Sequence, residues 1–253
     1  MEKKKVFVTA MEHDEAQVKA IFDKISSYGF AVDGHFWNYD EKELTKEIPS
    51  VELESSAAWV IVASNKIEPR AMIGLSLTIL TLKNFSKVRV PILVIGDQQE
   101  LPPLLSYAEF CSITTIGAKL AAKTAIKKNW PAEDFRICAH NQAGVGFWLE
   151  VGPAKGTWNG ILCGASQEQM ATMDFQAVGN KGMLPERSTL NYPFKDAKLT
   201  SNDVEYTACG CKNILTENDS YFVRLKGIAS SIIIGEGLSD DDLMECYVIK
   251  LAV

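Results

Sequence analysis

Residues Ala57–Ser64, Ala-Ala-Trp-Val-Ile-Val-Ala-Ser, form an apolar, partly β-branched run that never alternates with polar residues. A strand with one wet face alternates. A strand buried on both faces reads as a continuous apolar run and lies inside a parallel sheet. This stretch therefore predicts an α/β unit, and its flanks supply the remaining parts. Strand-like runs at Lys4–Ala10, Phe30–Trp37, Val88–Ile95 and Cys111–Ile116 alternate with helical patterns at Ala16–Ser27, Asp40–Glu54, Pro69–Phe85 and Ala118–Lys127. Such alternation gives a five-stranded parallel sheet with helices on both faces. The flavodoxin-like order 2-1-3-4-5 puts the third strand between the first and the fourth, which accounts for its lack of polar residues.

At 253 residues the chain is long enough for two domains. The texture changes after Pro131–Asp134: twelve of the 17 glycines lie beyond residue 128, which fits frequent turns. Short runs at Phe135–Ala139, Val145–Val151, Gly160–Gly164, Ala171–Val178, Glu205–Cys209, Tyr221–Leu225, Ala229–Gly235 and Cys246–Ala252 read as strands. Their spacing predicts a mainly antiparallel sandwich or barrel. The expected division is an α/β domain over 1–128, a linker over 129–134 and a β-rich domain over 135–253. Gly179–Leu199 has little periodicity and reads as a loop.

The charge is unevenly placed. Residues 1–128 carry 16 Lys+Arg and 16 Asp+Glu, so the whole net charge of −6 lies in the second half. Neither half offers a basic stripe, which argues against nucleic acid as a partner. No run approaches the ~20 apolar residues of a membrane span. The scattered cysteines and the lack of a leader-like start point to a cytoplasmic protein with reduced thiols. Cys209 and Cys211 have no second close pair with which to build a structural zinc site, so neither metal nor cofactor is expected. In Pro69–Phe85 two apolar stripes appear, Met72, Leu75, Ile79, Leu82 and Ile73, Leu77, Leu80. A surface helix needs one. Either the second half covers the other stripe, or the helix meets a second copy of the chain or another protein.

Ligands of an open parallel sheet bind beyond the carboxyl ends of its strands. Those ends supply Thr9, Glu12, His13 and Asp14, then Trp37, Asn38 and Asp40, then Ser64 and Asn65. Polar groups gathered at one rim would suit a nucleotide-like small molecule, with His13 able to exchange a proton near neutral pH. No glycine-rich phosphate loop follows any strand. A phosphoacceptor receiver would need a carboxylate at the end of the third strand, where Ser64-Asn65 stands.

Val6-Phe7-Val8-Thr9-Ala10, Tyr28-Gly29-Phe30-Ala31-Val32, Trp37-Asn38-Tyr39-Asp40 and Ala57–Ser64 with Asn65 together resemble a TIR-type (Toll/interleukin-1 receptor) domain over the first half of the chain. The resemblance implies self-association and signalling through protein contacts. Some members of that family cleave NAD with a glutamate on the helix after the third strand. Here that helix begins Pro69-Arg70-Ala71-Met72-Ile73-Gly74-Leu75-Ser76, and Glu68 precedes it. The expectation is a signalling or scaffold protein: a non-catalytic interaction or ligand-sensing domain joined to a β-rich recognition domain. The alternative is an N-glycosidase or deoxyribosyltransferase-like enzyme on NAD or nucleosides, with Glu12, Asp14 or Glu68 as its carboxylate.

Overall fold

The computed structural model describes residues 3–38, 50–63, 65–142, 146–167, 171–237 and 246–253. The chain divides into two compact units, Met1–Pro131 and Ala132–Val253. In the first, β1 (Lys5–Ala10), α1 (Glu15–Ser26), β2 (Ala31–Phe36), α2 (Ser50–Glu54), β3 (Ala58–Val62), α3 (Pro69–Phe85), β4 (Ile92–Ile95), β5 (Glu109–Cys111) and α4 (Ile116–Thr124) follow in order, with a 3-10 turn at Pro103–Leu105. The five strands pair in parallel in the order β2-β1-β3-β4-β5. The strand read as central is central: all five residues of β3 are buried. Val60 packs with Val6, Val8 and Leu93 beneath Ile21 and Ile25 of α1 and Ile116 and Leu120 of α4, while Trp59 and Ile61 point to the other face.

Local chemistry moves several boundaries. Pro91 has no N–H to give a ladder, so β4 starts after it, at Ile92, and Val88 makes an isolated bridge to Asn129. The fifth strand ends at Cys111 because Ser112 and Thr115 hydrogen-bond each other and turn the chain into α4. Of the segment 40–54, the described part is α2. Every residue of α3 from Ala71 to Leu82 is buried, so neither apolar stripe is exposed and no partner chain is needed to cover one. The hydroxyls of Thr78 and Thr81 donate back to the carbonyls of Gly74 and Leu77, so they enter this environment already paired. Among the described residues no helix is long and apolar enough to cross a membrane.

The second unit contains β6 (Phe135–Gln142), β7 (Gly146–Pro153), β8 (Thr157–Ser166), β9 (Thr172–Asn180), β10 (Phe194–Ser201), β11 (Val204–Thr216), β12 (Asp219–Lys226), β13 (Ser231–Glu236) and β14 (Cys246–Lys250). They form two antiparallel sheets, β10-β11-β8-β13-β14 and β6-β7-β12-β9. The sheets meet where the Tyr221 hydroxyl reaches Cys209 Sγ at 3.1 Å and Cys209 reaches Met173 Sδ at 3.7 Å. Cys163, Cys209 and Cys211 are buried, and burial raises all three thiols, Cys209 to about 11. They are packing groups rather than nucleophiles.

The segment 179–199, read as a loop, contains the end of β9 and most of β10. Between these strands the connection lies against the four-stranded sheet. Leu184 packs on Trp148, Ala177 and Phe222. The Ser188 hydroxyl donates to the Val178 carbonyl and accepts from its N–H, at 3.0 and 2.6 Å.

Candidate functional site

At the strand ends of the first unit the expected residues are present, but most face inward or pair with one another. Thr9 is fully buried. Its hydroxyl accepts the indole N–H of Trp59 at 2.9 Å and meets His35 Nε2 at 3.1 Å. Burial lowers His35 to about 4, so it is neutral at physiological pH. Glu12 Oε1 accepts both the backbone N–H and the side-chain amide of Asn65, at 2.9 and 2.7 Å. Asp14 caps α1 by accepting the N–H of Gln17. His13 stacks on Phe36 at 4.1 Å, and Trp37 is buried, with its backbone N–H bonded to Ala10. Gln99, which the sequence reading passed over, ties this edge to the next loop by accepting from Ile67 N and donating to the carbonyl of Asn65. Asp40 and Ser64 lie outside the described residues. Glu68 is exposed ahead of α3, and the first turn of that helix contains no carboxylate.

The chain matches no family model and no curated protein.

A cleft of about 570 Å³ opens at the opposite end of the same sheet, where the strands begin. Lys3, Lys4, Lys5, Arg89 and Lys127 line it, and among the described residues Glu54 is its one acidic group. Lys5 pairs with Asp33, Lys4 donates to the carbonyl of Thr124, and Arg89 lies over the ring of Tyr107 at 4.4 Å. This end of the sheet is cationic, whereas the expected rim presents Glu12 and Asp14.

The second unit has its own polar assembly, on the face of the four-stranded sheet that turns away from Tyr221. Side chains two apart on a strand share a face, so Arg136, Cys138 and His140 of β6 stand in one row. The antiparallel register sets Cys138 opposite Glu150 and His140 opposite Trp148. Glu150 is 3% exposed. Its Oε1 accepts from Ser220 Oγ at 2.6 Å, Gly182 N at 2.8 Å and Arg136 Nη1 at 3.4 Å. Its Oε2 lies 2.5 Å from His140 Nε2 and 3.7 Å from Cys138 Sγ, and these two are 3.0 Å apart. Burial alone would raise this carboxyl, but the bonds from His140, Ser220 and Gly182 outweigh it and bring it to about 2. Burial and the neighbouring carboxylate push the Cys138 thiol up.

Arg136 is itself fixed, donating to the carbonyls of Pro153 and Asp219 at 2.9 and 2.6 Å. It can cross the strands there because residue 152 is glycine: a Cβ would sit 2.8 Å from the guanidinium and from the Asp219 carbonyl. None of these residues belongs to the expected rim, and no motif marks them in the sequence. The available signal was the alternation along β6. The partner across the hairpin and the donor from Gly182 have no local signature.

Proposed function

We propose that the first unit is a non-catalytic, TIR-like interaction or ligand-sensing domain and that the second is a recognition domain joined to it, in a cytoplasmic signalling or scaffold protein. The observation that supports this is the state of the strand-end carboxylates. Glu12 is held by Asn65 and Asp14 caps a helix, while α3 offers no acid in its first turn. Cleavage of an N-glycosidic bond builds positive charge on the ribose. A site for it needs a carboxylate aimed at that charge, and here Glu12 and Asp14 serve the fold. The test is nicotinamide release from NAD, and base release from nucleosides, by the full chain. No turnover above the uncatalysed rate is the expected outcome. Turnover that disappears in folded Glu12→Gln, Asp14→Asn or Glu68→Gln would establish the enzymatic alternative.

The basic cleft favours an anionic, nucleotide-like ligand over a neutral one, since clustered cations raise the local concentration of anions. Saturable binding of ADP-ribose or AMP that weakens with added salt and is lost in Lys4→Glu and Arg89→Glu is expected. Binding that instead depends on Asn65 and His13 would move the ligand to the opposite end of the sheet.

A further inference from the structure

We propose that Cys138, His140 and Glu150 hold one divalent transition-metal ion of the zinc class, through Sγ, Nε2 and Oε2, with the fourth position open to water or an outside ligand. The site is independent of the reading given for the first unit.

Three observations carry it. The first is the donor set. A thiolate, an imidazole and a carboxylate on adjacent strands are the ligand types that zinc-class ions take, and three protein ligands leave one coordination position free. The second is convergence. The three ligand atoms lie within 4.8 Å of one another. His140 Nε2 can present one hydrogen or one lone pair, yet it faces Sγ at 3.0 Å and Oε2 at 2.5 Å. A single ion between the three atoms serves all of them at once. A tetrahedral site with metal–nitrogen and metal–oxygen bonds near 2.0–2.1 Å separates its nitrogen and oxygen by about 3.4 Å. The His140 contacts therefore have to open, by roughly an ångström to Glu150 and by about half that to Cys138, while Cys138 and Glu150 already stand at a suitable 3.7 Å. The imidazole is the free member: its side chain is 28% exposed, against 4% for Glu150.

The third observation is the support behind the ligands. Metal-binding carboxylates are oriented by hydrogen bonds to their second oxygen. Here Oε1 takes Ser220, Gly182 and Arg136, which leaves Oε2 aimed at the other two ligands. A dication with one thiolate and one carboxylate is neutral, and the adjacent Arg136 keeps its own positive charge. On binding, the Cys138 thiol gives up its proton to solvent. The Nε2–H proton leaves or moves to Nδ1, and Glu150 is already ionised. Affinity therefore rises with pH.

The test is titration of the full chain, stripped with a chelator and dialysed, with Co²⁺ and then Zn²⁺. One equivalent of cobalt should bind, with a thiolate-to-cobalt charge-transfer band that zinc abolishes by displacement. Cys138→Ser should remove that band. Ser220→Ala should weaken binding about tenfold with the band retained, and His140→Ala, which removes a ligand at a partly exposed side chain, should weaken it more. Absence of saturable cobalt binding to the unaltered chain overturns the proposal. So does a band undiminished in Cys138→Ser, or unchanged affinity in folded His140→Ala.

Discussion

The strand-end rim of the first unit and the outer face of the four-stranded sheet in the second both gather polar side chains, and they do so under opposite conditions. At the rim, Glu12 and Asp14 meet backbone and amide N–H groups in contact with water. These are ordinary loop-closing and capping bonds. On the sheet face, Glu150 is buried with a guanidinium, a hydroxyl, a backbone N–H, an imidazole and a thiol around it. Polar residues at a place where ligands often bind are weak evidence of a site. A buried carboxylate carrying this many partners has a much larger solvation cost to offset, so its surroundings must be specifically arranged.

That contrast can be broken by measurement. The largest effect is expected for Glu150→Gln. The amide keeps the shape but leaves the Arg136 charge buried without a counter-charge, at a cost of about 3 kcal/mol or more in urea denaturation. A cost below about 1 kcal/mol would put Glu150 in the same solvated class as the rim.

Acid should separate the two units. His35 titrates near 4 in the fold and near 6.5 when unfolded. Its folded pKa is depressed, so the stability tied to its neutral form is complete above about 6.5 and is lost as pH falls toward 4, by up to about 3 kcal/mol. Glu150, at about 2 in the fold, contributes stability that is complete above about 4.5 and is lost as pH falls toward 2. The first unit should therefore weaken at higher pH than the second. This is readable from the pH dependence of hydrogen exchange in each, and His35→Gln should flatten the earlier phase.

Thr9→Val strands the buried indole N–H of Trp59 and should cost about 1–3 kcal/mol by the same denaturation measurement. Asp14→Ala removes the α1 cap, for about 1 kcal/mol. Lys19→Ala, which breaks the exposed pair with Asp23, should cost less than about 0.5 kcal/mol. If Asp14→Ala proved as costly as Glu150→Gln, the distinction between rim and face would fail.

The α/β unit was legible because burial on both faces leaves a direct mark on β3: five residues with no polar one among them. The flavodoxin-like order expected for the sheet agrees with that strand's central place. The second unit was legible as a class but less so in its elements. β10, Phe-Lys-Asp-Ala-Lys-Leu-Thr-Ser, has an irregular register between Phe194 and Ala197 and a positive φ at Asp196, so its apolar residues do not alternate cleanly. At the polar face, alternation could place Arg136, Cys138 and His140 on one side. The opposition of Cys138 to Glu150 depends on the hairpin register, and the contribution of Gly182 on a connection whose path only the folded sheet defines. Such a site is assembled by pairing and is written in no single stretch of residues.

The irregularity that hid β10 from sequence reading has a further consequence. β10 borders the five-stranded sheet, where unpaired backbone groups would invite a strand from another molecule and, repeated, a fibril. The left-handed Asp196 kinks that border, and Lys195 and Lys198 place cations along it. The same few residues that spoil the strand's pattern make this edge a poorer template for an incoming strand.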